Sequence, residues 1–104
     1  MKFVQVSTTT AREEDAQRIA DALVAQRLAG CVQILGPIRS TFRWQDRVDT
    51  AQEWICLVKS REDLYARVEA AIKANHSYEV PEILCTPVTA GSAEYLGWLD
   101  SVVG

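Results

Sequence analysis

At 104 residues, 48% of them hydrophobic, the chain fits one domain, residues 1–104, large enough to bury a core without disulfides or a structural metal. Eleven Lys and Arg against 14 Asp and Glu give a net charge of -3 with the signs interspersed, which argues against nucleic acid and anionic membranes as partners. No apolar run approaches the length of a membrane span or of a signal-peptide core, so a cytoplasmic protein is expected.

The three cysteines, Cys31, Cys56 and Cys85, are dispersed among apolar neighbours and form no Cys-x-x-Cys. Thiols in such settings behave as small buried hydrophobes, so neither a disulfide framework nor a zinc motif is expected. Cys31, which follows a helix stop, is the one open to partial exposure.

Residues 2–8 alternate polar and apolar, as a strand does. Thr10-Ala11-Arg12-Glu13 then has capping-box spacing, in which the hydroxyl accepts from the N3 amide and the glutamate reaches back. A helix is expected to begin there. Ala16, Ile19, Ala20, Leu23 and Leu28 recur at helical intervals. Gly30 is placed to end the helix, because glycine adopts the left-handed conformation without a Cβ penalty. Residues 31–35 resume strand character, and Gly36-Pro37 interrupts it with a bulge or kink before residues 38–45, giving one long bent strand. Along it Phe42 and Trp44 share one face, Thr41 and Arg43 the other.

Residues 46–51 read as a polar connection, and residues 53–59 as a strand that is apolar on both faces, hence central and covered on both sides. Ser60-Arg61-Glu62-Asp63 offers a second helix cap, with acids in the first turn where they complement the helix dipole. Leu64, Val68, Ala71 and Ile72 supply the buried stripe of that helix, which runs out at Lys73-Ala74-Asn75.

The stretch His76-Ser77-Tyr78-Glu79-Val80-Pro81-Glu82-Ile83 concentrates the unusual chemistry, with the sole histidine, a tyrosine and two carboxylates. Pro81 restricts the residue before it, so residues 78–81 are expected to run extended into a strand at 83–88. His76 then lies just outside regular structure. It reads either as a metal ligand or titrating group beside a carboxylate, or as a helix-end histidine that bonds carbonyls. Thr89-Ala90-Gly91-Ser92 forms a turn and cap for a short final helix, with Ala93, Leu96 and Leu99 inward and Tyr95 and Trp98 beside them as packing groups.

Strand, helix, strand, strand, helix, strand is the split βαβ order of an α+β, ferredoxin-like sandwich, here with an extra C-terminal helix. Both main helices cover one sheet face. Phe42, Trp44 and Trp54 exceed what that helical layer shelters, which points to burial of the open face in an oligomer.

Four segments resemble the CutA1 family of divalent-cation tolerance proteins: Leu28-Ala29-Gly30-Cys31-Val32-Gln33-Ile34, Ser40-Thr41-Phe42-Arg43-Trp44-Gln45, Tyr78-Glu79-Val80-Pro81-Glu82-Ile83 and Tyr95-Leu96-Gly97-Trp98-Leu99. The resemblance covers essentially the whole chain. It implies a homotrimer of ferredoxin-like subunits, similar to PII signalling trimers, and an association with copper or another divalent cation that folding does not require. It also implies His76 as the residue connected with metal, and imidazole with carboxylate ligation suits copper or zinc, so a carboxylate such as Glu79 or Glu82 is expected to join it. Extended geometry would send those two carboxylates to opposite faces, leaving one per site. Asn75 and Ser77 depart from the residues common beside this histidine, Asp46 replaces a glycine common in its turn, and the end of the first strand, Ser7-Thr8-Thr9-Thr10, carries no cysteine.

The alternative expectation is a PII-like regulatory or scaffold trimer that binds a small ligand or partner protein at its subunit clefts. Arg43, Trp44, Lys59, Tyr78 and Glu82 would line that cleft, the bases recognising an anionic group. No Ser-His-Asp or Cys-His signature, phosphate loop or zinc motif is present in the sequence, so an enzyme is not expected.

Overall fold

The computed structural model describes residues 2–104. In β1 (Phe3–Thr10), Val4, Val6 and Thr8 are buried while Phe3, Gln5 and Ser7 between them are half-buried, the two-residue period of a sheet with one sheltered face. Against that face α1 (Glu13–Ala25) lays Ala16, Ile19, Ala20 and Leu23, and α2 (Tyr65–Ala74) lays Val68, Ala71 and Ile72. Cys56 and Val58 of β3 (Arg47–Arg61) complete the same core, with Leu99 of α3 (Ala93–Val102) closing one end. Ile19, Leu23 and Ile72 are among its largest fully buried side chains, each contributing about 1.5–3 kcal/mol of transfer free energy. With β2 (Cys31–Trp44) and β4 (Ile83–Val88), the sheet order is β2-β3-β1-β4 and every neighbouring pair is antiparallel. This is the ferredoxin-like α+β arrangement expected from the order of elements.

The helix starts differ from the sequence pattern because the strands claim the hydroxyl residues. Thr10 is fully buried at the end of β1, pairs with Trp54, and donates its hydroxyl to the Arg12 carbonyl at 2.9 Å. Arg12, not Thr10, holds the N-cap position of α1, without a side-chain cap bond. Ser60 likewise stays in β3 and donates to the Leu28 carbonyl at 2.6 Å, so a 3-10 turn (Glu62–Leu64) leads into α2 from Arg61. Ser92 does cap α3, accepting from the Tyr95 amide at 3.2 Å.

Gly30 does not stop α1. The helix ends at Ala25, Arg27 takes a positive φ of 58°, and the amides of Leu28 and Ala29 both return to the Leu23 carbonyl. Gly30 is instead a place of close approach to α3, where a Cβ would lie 2.6 Å from Leu99 Cδ1.

Residues 46–51 are ladder, not connection. Trp44 pairs with Arg47 across a two-residue turn in which Gln45 and Asp46 have φ of 50° and 62°, the type I′ geometry that matches strand twist. The Gly36–Pro37 peptide is cis and the ladder shifts register between Leu35 and Ile38, where the bulge was expected. There the indole of Trp54 lies over Gly36, with Cδ1 2.2 Å from the place a Cβ would occupy. The resulting hairpin helps draw the molecule out to 44 × 25 × 22 Å.

Within one chain β3 is central but covered on one side only. On the other face Leu35 and Leu84 are 51% and 58% exposed. Cys56 is buried, Cys31 is half-buried, and Cys85 is exposed, because β4 is an edge strand that the helices do not shelter.

Candidate functional site

The loop between α2 and β4 is tied back to α1 and β1. Arg18 donates to the Asn75 carbonyl through Nη2 at 2.8 Å and Nε at 3.2 Å. The Ser77 hydroxyl donates to Asp15 at 3.1 Å, and Asp15, fully buried, also accepts from Arg12 and Arg18. Burial alone pushes the Asp15 carboxyl up. Hydrogen bonds from Arg12, Ser77 and Arg18 outweigh burial, so the net displacement is downward and the group stays ionised.

His76 occupies the middle of this network. Its Nδ1 accepts from the Tyr78 amide at 3.1 Å, and its Nε2 lies 2.8 Å from the Thr9 carbonyl. An amide only donates and a carbonyl only accepts, so Nδ1 carries the lone pair and Nε2 the proton. Burial lowers the pKa of His76, opposed in part by the Thr9 carbonyl and by Asp15 and Glu53. The imidazole is therefore neutral at pH 7 with both nitrogens engaged. Its grip on the Tyr78 amide also turns the chain, so residues 77–80 bend where an extended entry was expected.

The bend delivers the Tyr78 hydroxyl to Glu53 on β3, to which it donates at 2.8 Å. Glu53 is only 7% exposed. Burial, and after it the Glu53 carboxylate, push the Tyr78 phenol up to about 12.

Between this loop and the β2–β3 hairpin opens a cleft of about 770 Å³. The loop contributes Tyr78, Glu79, Val80 and Glu82, and the hairpin contributes Phe42, Arg43, Trp44 and Glu53, with Thr9 of β1 at the junction. Five of the residues named from sequence, Arg43, Trp44, Tyr78, Glu79 and Glu82, thus meet at one place. Glu79 and Glu82 border the same cleft, contrary to the alternation of an extended strand, because the bend breaks that alternation. His76 lies behind Tyr78, ring centroids 5.1 Å apart, and is not part of the lining. Lys59 is also outside it, its ammonium bonded across the strands to the Gln5 side-chain carbonyl.

Glu53 and Thr9 were not named from sequence. The available signal for Glu53 was an acid opening a strand of otherwise apolar residues, 53–58, although its cleft partner is 25 residues away. Among the described residues, no group of three or more His, Cys, Asp and Glu side chains is arranged to hold a metal ion.

Residues 4–102 match the family model described as CutA1 divalent ion tolerance protein. The chain belongs to the CutA1 family. A divalent-cation tolerance protein CutA of Thermus thermophilus is 42% identical over 99 residues, covering 95% of this chain and 96% of the relative. The crystal structure of CutA1 from Oryza sativa superposes with a TM-score of 0.97 at 33% identity, covering 100% of this chain and 95% of that one. A structure from Archaeoglobus fulgidus, described as a periplasmic divalent cation tolerance protein CutA, gives 0.95 at 37% identity, covering 98% of this chain and 99% of the other. The chain spans about half, 55%, of the rice chloroplastic CutA1 sequence, to which it is 35% identical over 98 residues. CutA1 membership agrees with the four motifs, all of which fall inside the matched range. Among the described residues no helix is long and apolar enough to cross a membrane.

Proposed function

We propose that this CutA1-family chain serves in divalent-cation tolerance as a homotrimeric binding protein, not an enzyme, taking copper or another divalent ion at the cleft through Glu79 and Glu82. The observation that supports this reading is the bend at residues 77–80, with Glu79 and Glu82 both on the lining of one cleft. Carboxylate oxygens and imidazole suit borderline divalent ions. His76 enters the coordination sphere only by giving up the Tyr78 amide or the Thr9 carbonyl, so ion binding at His76 would loosen the loop. The exposed Leu35 and Leu84 of the open sheet face support assembly into the trimer. The closed core supports folding without metal, and free thiols suit the reducing cytoplasm.

Calorimetric titration of copper and zinc into the wild type, Glu79→Gln/Glu82→Gln and His76→Ala tests it. Binding is expected to fall steeply in the double carboxylate variant. Unchanged affinity there sinks the assignment.

A second reading, a PII-like regulatory trimer that holds a small ligand or partner group in the same cleft, is favoured by one observation. The cleft volume, about 770 Å³, lies in the range of about 300–1,000 Å³ usual for small-molecule sites. With Lys59 outside the lining, Arg43 is the remaining base among the residues proposed to recognise an anion. A ligand retained through purification and seen by mass spectrometry would favour this reading over the first.

A further inference from the structure

We propose that Glu53 anchors a binding site for an organic cation, an ammonium or guanidinium group on an apolar stem, in the cleft between the hairpin and the 77–82 loop. The inference rests on the reading of this cleft as a ligand site and goes beyond it in assigning the ligand's charge and shape.

The first observation is a buried anion without a counter-charge. Glu53 is 7% exposed, and its side chain accepts one hydrogen bond, from the Tyr78 hydroxyl to Oε2. Among the described residues Oε1 has no hydrogen-bond partner and is not one of the fully buried unsatisfied atoms, so it opens onto the cleft, and no Lys, Arg or His forms an ion pair with the group. Arg43, on the same cleft, does not reach it. Buried carboxylates are stable when matched by a cation and hydrogen bonds, and a single phenol supplies only part of that.

The second observation is the composition of the surrounding walls. Glu79 and Glu82 make the lining acidic against Arg43 alone, which repels an anionic ligand. Phe42 and Trp44 stand on the same hairpin face as Glu53 by strand register, and they are 41% and 53% exposed. A cation on Glu53 gains a charge-assisted hydrogen bond there, while its apolar stem runs along the hairpin towards Phe42, four strand positions beyond Ile38, the residue paired with Glu53; Trp44 stands two positions further on. A bare metal ion uses neither the aromatic faces nor most of the cleft volume, and among the described residues no three-donor cluster converges on Glu53. The cation is either a free amine or guanidine, or the tip of a Lys or Arg side chain from a second copy of this chain.

The test is titration of n-butylguanidinium into the whole protein in chelator-treated buffer, read by ligand-detected NMR and tryptophan fluorescence, with n-butanol and butyrate as controls. Glu53→Gln is the main variant, since its amide oxygen still accepts from Tyr78; Phe42→Ala is a second that leaves Glu53 intact. Saturable binding of butylguanidinium alone among the three probes, weakened about tenfold or more by Glu53→Gln and severalfold by Phe42→Ala, supports a free-ligand site. If the cation is a neighbouring copy's side chain, the free probe does not saturate, and Glu53→Gln instead shifts the assembly equilibrium towards single chains by a similar factor.

Butanol binding as tightly as butylguanidinium, or Glu53→Gln changing neither binding nor assembly, overturns the proposal. Copper binding that depends on Glu79 and Glu82 but ignores both butylguanidinium and Glu53→Gln removes this inference and leaves the divalent-cation reading standing.

Discussion

Replacing Tyr78 by Phe deletes one oxygen and leaves a buried carboxylate without its donor. The Tyr78 hydroxyl is 2.8 Å from Glu53 Oε2, and Glu53 is 7% exposed, so water replaces the lost donor poorly. A hydrogen bond to a charged group contributes about 1.5–3 kcal/mol, and partial access to cleft water places Tyr78→Phe near the middle, at about 2 kcal/mol. Urea unfolding at pH 7 measures it. Glu53→Gln keeps an acceptor, so the double variant closes a cycle whose coupling energy is expected at about 1–2 kcal/mol.

An alkaline arm sharpens the same test. Burial and the Glu53 carboxylate push the Tyr78 phenol up to about 12 in the folded protein, against about 10 in an unfolded chain. Below the unfolded value both states hold the proton and stability is complete. As pH rises from there through the folded value, the unfolded chain releases its proton first and wild type loses stability. The full displacement would be worth about 2.7 kcal/mol, and solvent on the cleft side reduces the expected loss to about 1–2 kcal/mol. Tyr78→Phe lacks this titration, so its deficit relative to wild type should shrink with rising pH, while Tyr65 and Tyr95 cancel in the difference. A deficit under about 0.5 kcal/mol at pH 7 that does not vary with pH would refute the reasoning.

Gly36→Ala puts a methyl group 2.2 Å from Trp54 Cδ1; overpacking of this kind costs about 1–3 kcal/mol, measurable by urea unfolding with a shift in tryptophan emission, and unchanged stability would contradict the contact. Asp46→Gly should stabilise by about 0.5 kcal/mol, since Asp46 sits at φ 62° in a type I′ turn, and a loss of stability would count against that turn. For Asp15, whose folded pKa is lowered, the stabilising contribution is present above the unfolded value of about 3.9 and is lost as pH falls through the folded one. Asp15→Asn should therefore cost stability at pH 7 and flatten the acid limb of a stability-versus-pH curve; parallel limbs would refute the network's role.

What the sequence makes legible here is burial with a strong period. The alternation of Val4 and Val6, the helical stripe of Ile19 and Leu23, and that of Val68 and Ile72 place three elements and the ferredoxin-like order. Element ends were less legible. Thr10 and Ser60 have the chemistry of helix caps, but each is worth more to a buried strand position, and only the tertiary ladder decides between those uses. Gly30 has the chemistry of a helix stop, yet what requires glycine is the approach of α3, residues 93–102, from the far end of the chain. The hairpin's length was hidden because Gln45 and Asp46 form an I′ turn without the usual glycine.

The cleft was partly legible. Tyr78, Glu79 and Glu82 stand out as a motif, whereas Glu53 gains its meaning only when the fold brings Tyr78 to it across 25 residues of sequence. For His76 the residue type favoured carbonyl bonding at a helix end over metal ligation. The geometry shows the first in use, with Thr9 accepting and the Tyr78 amide donating.

Anomalous diffraction from crystals soaked with copper bears most directly on the claim that a trimer of this chain takes divalent ions at the cleft. A threefold assembly is expected, with one peak per subunit between the Glu79 and Glu82 carboxylates and the His76 ring either in place or released from the Tyr78 amide. A lattice without the trimer, or peaks confined to sites away from the cleft such as the exposed Cys85, would contradict it.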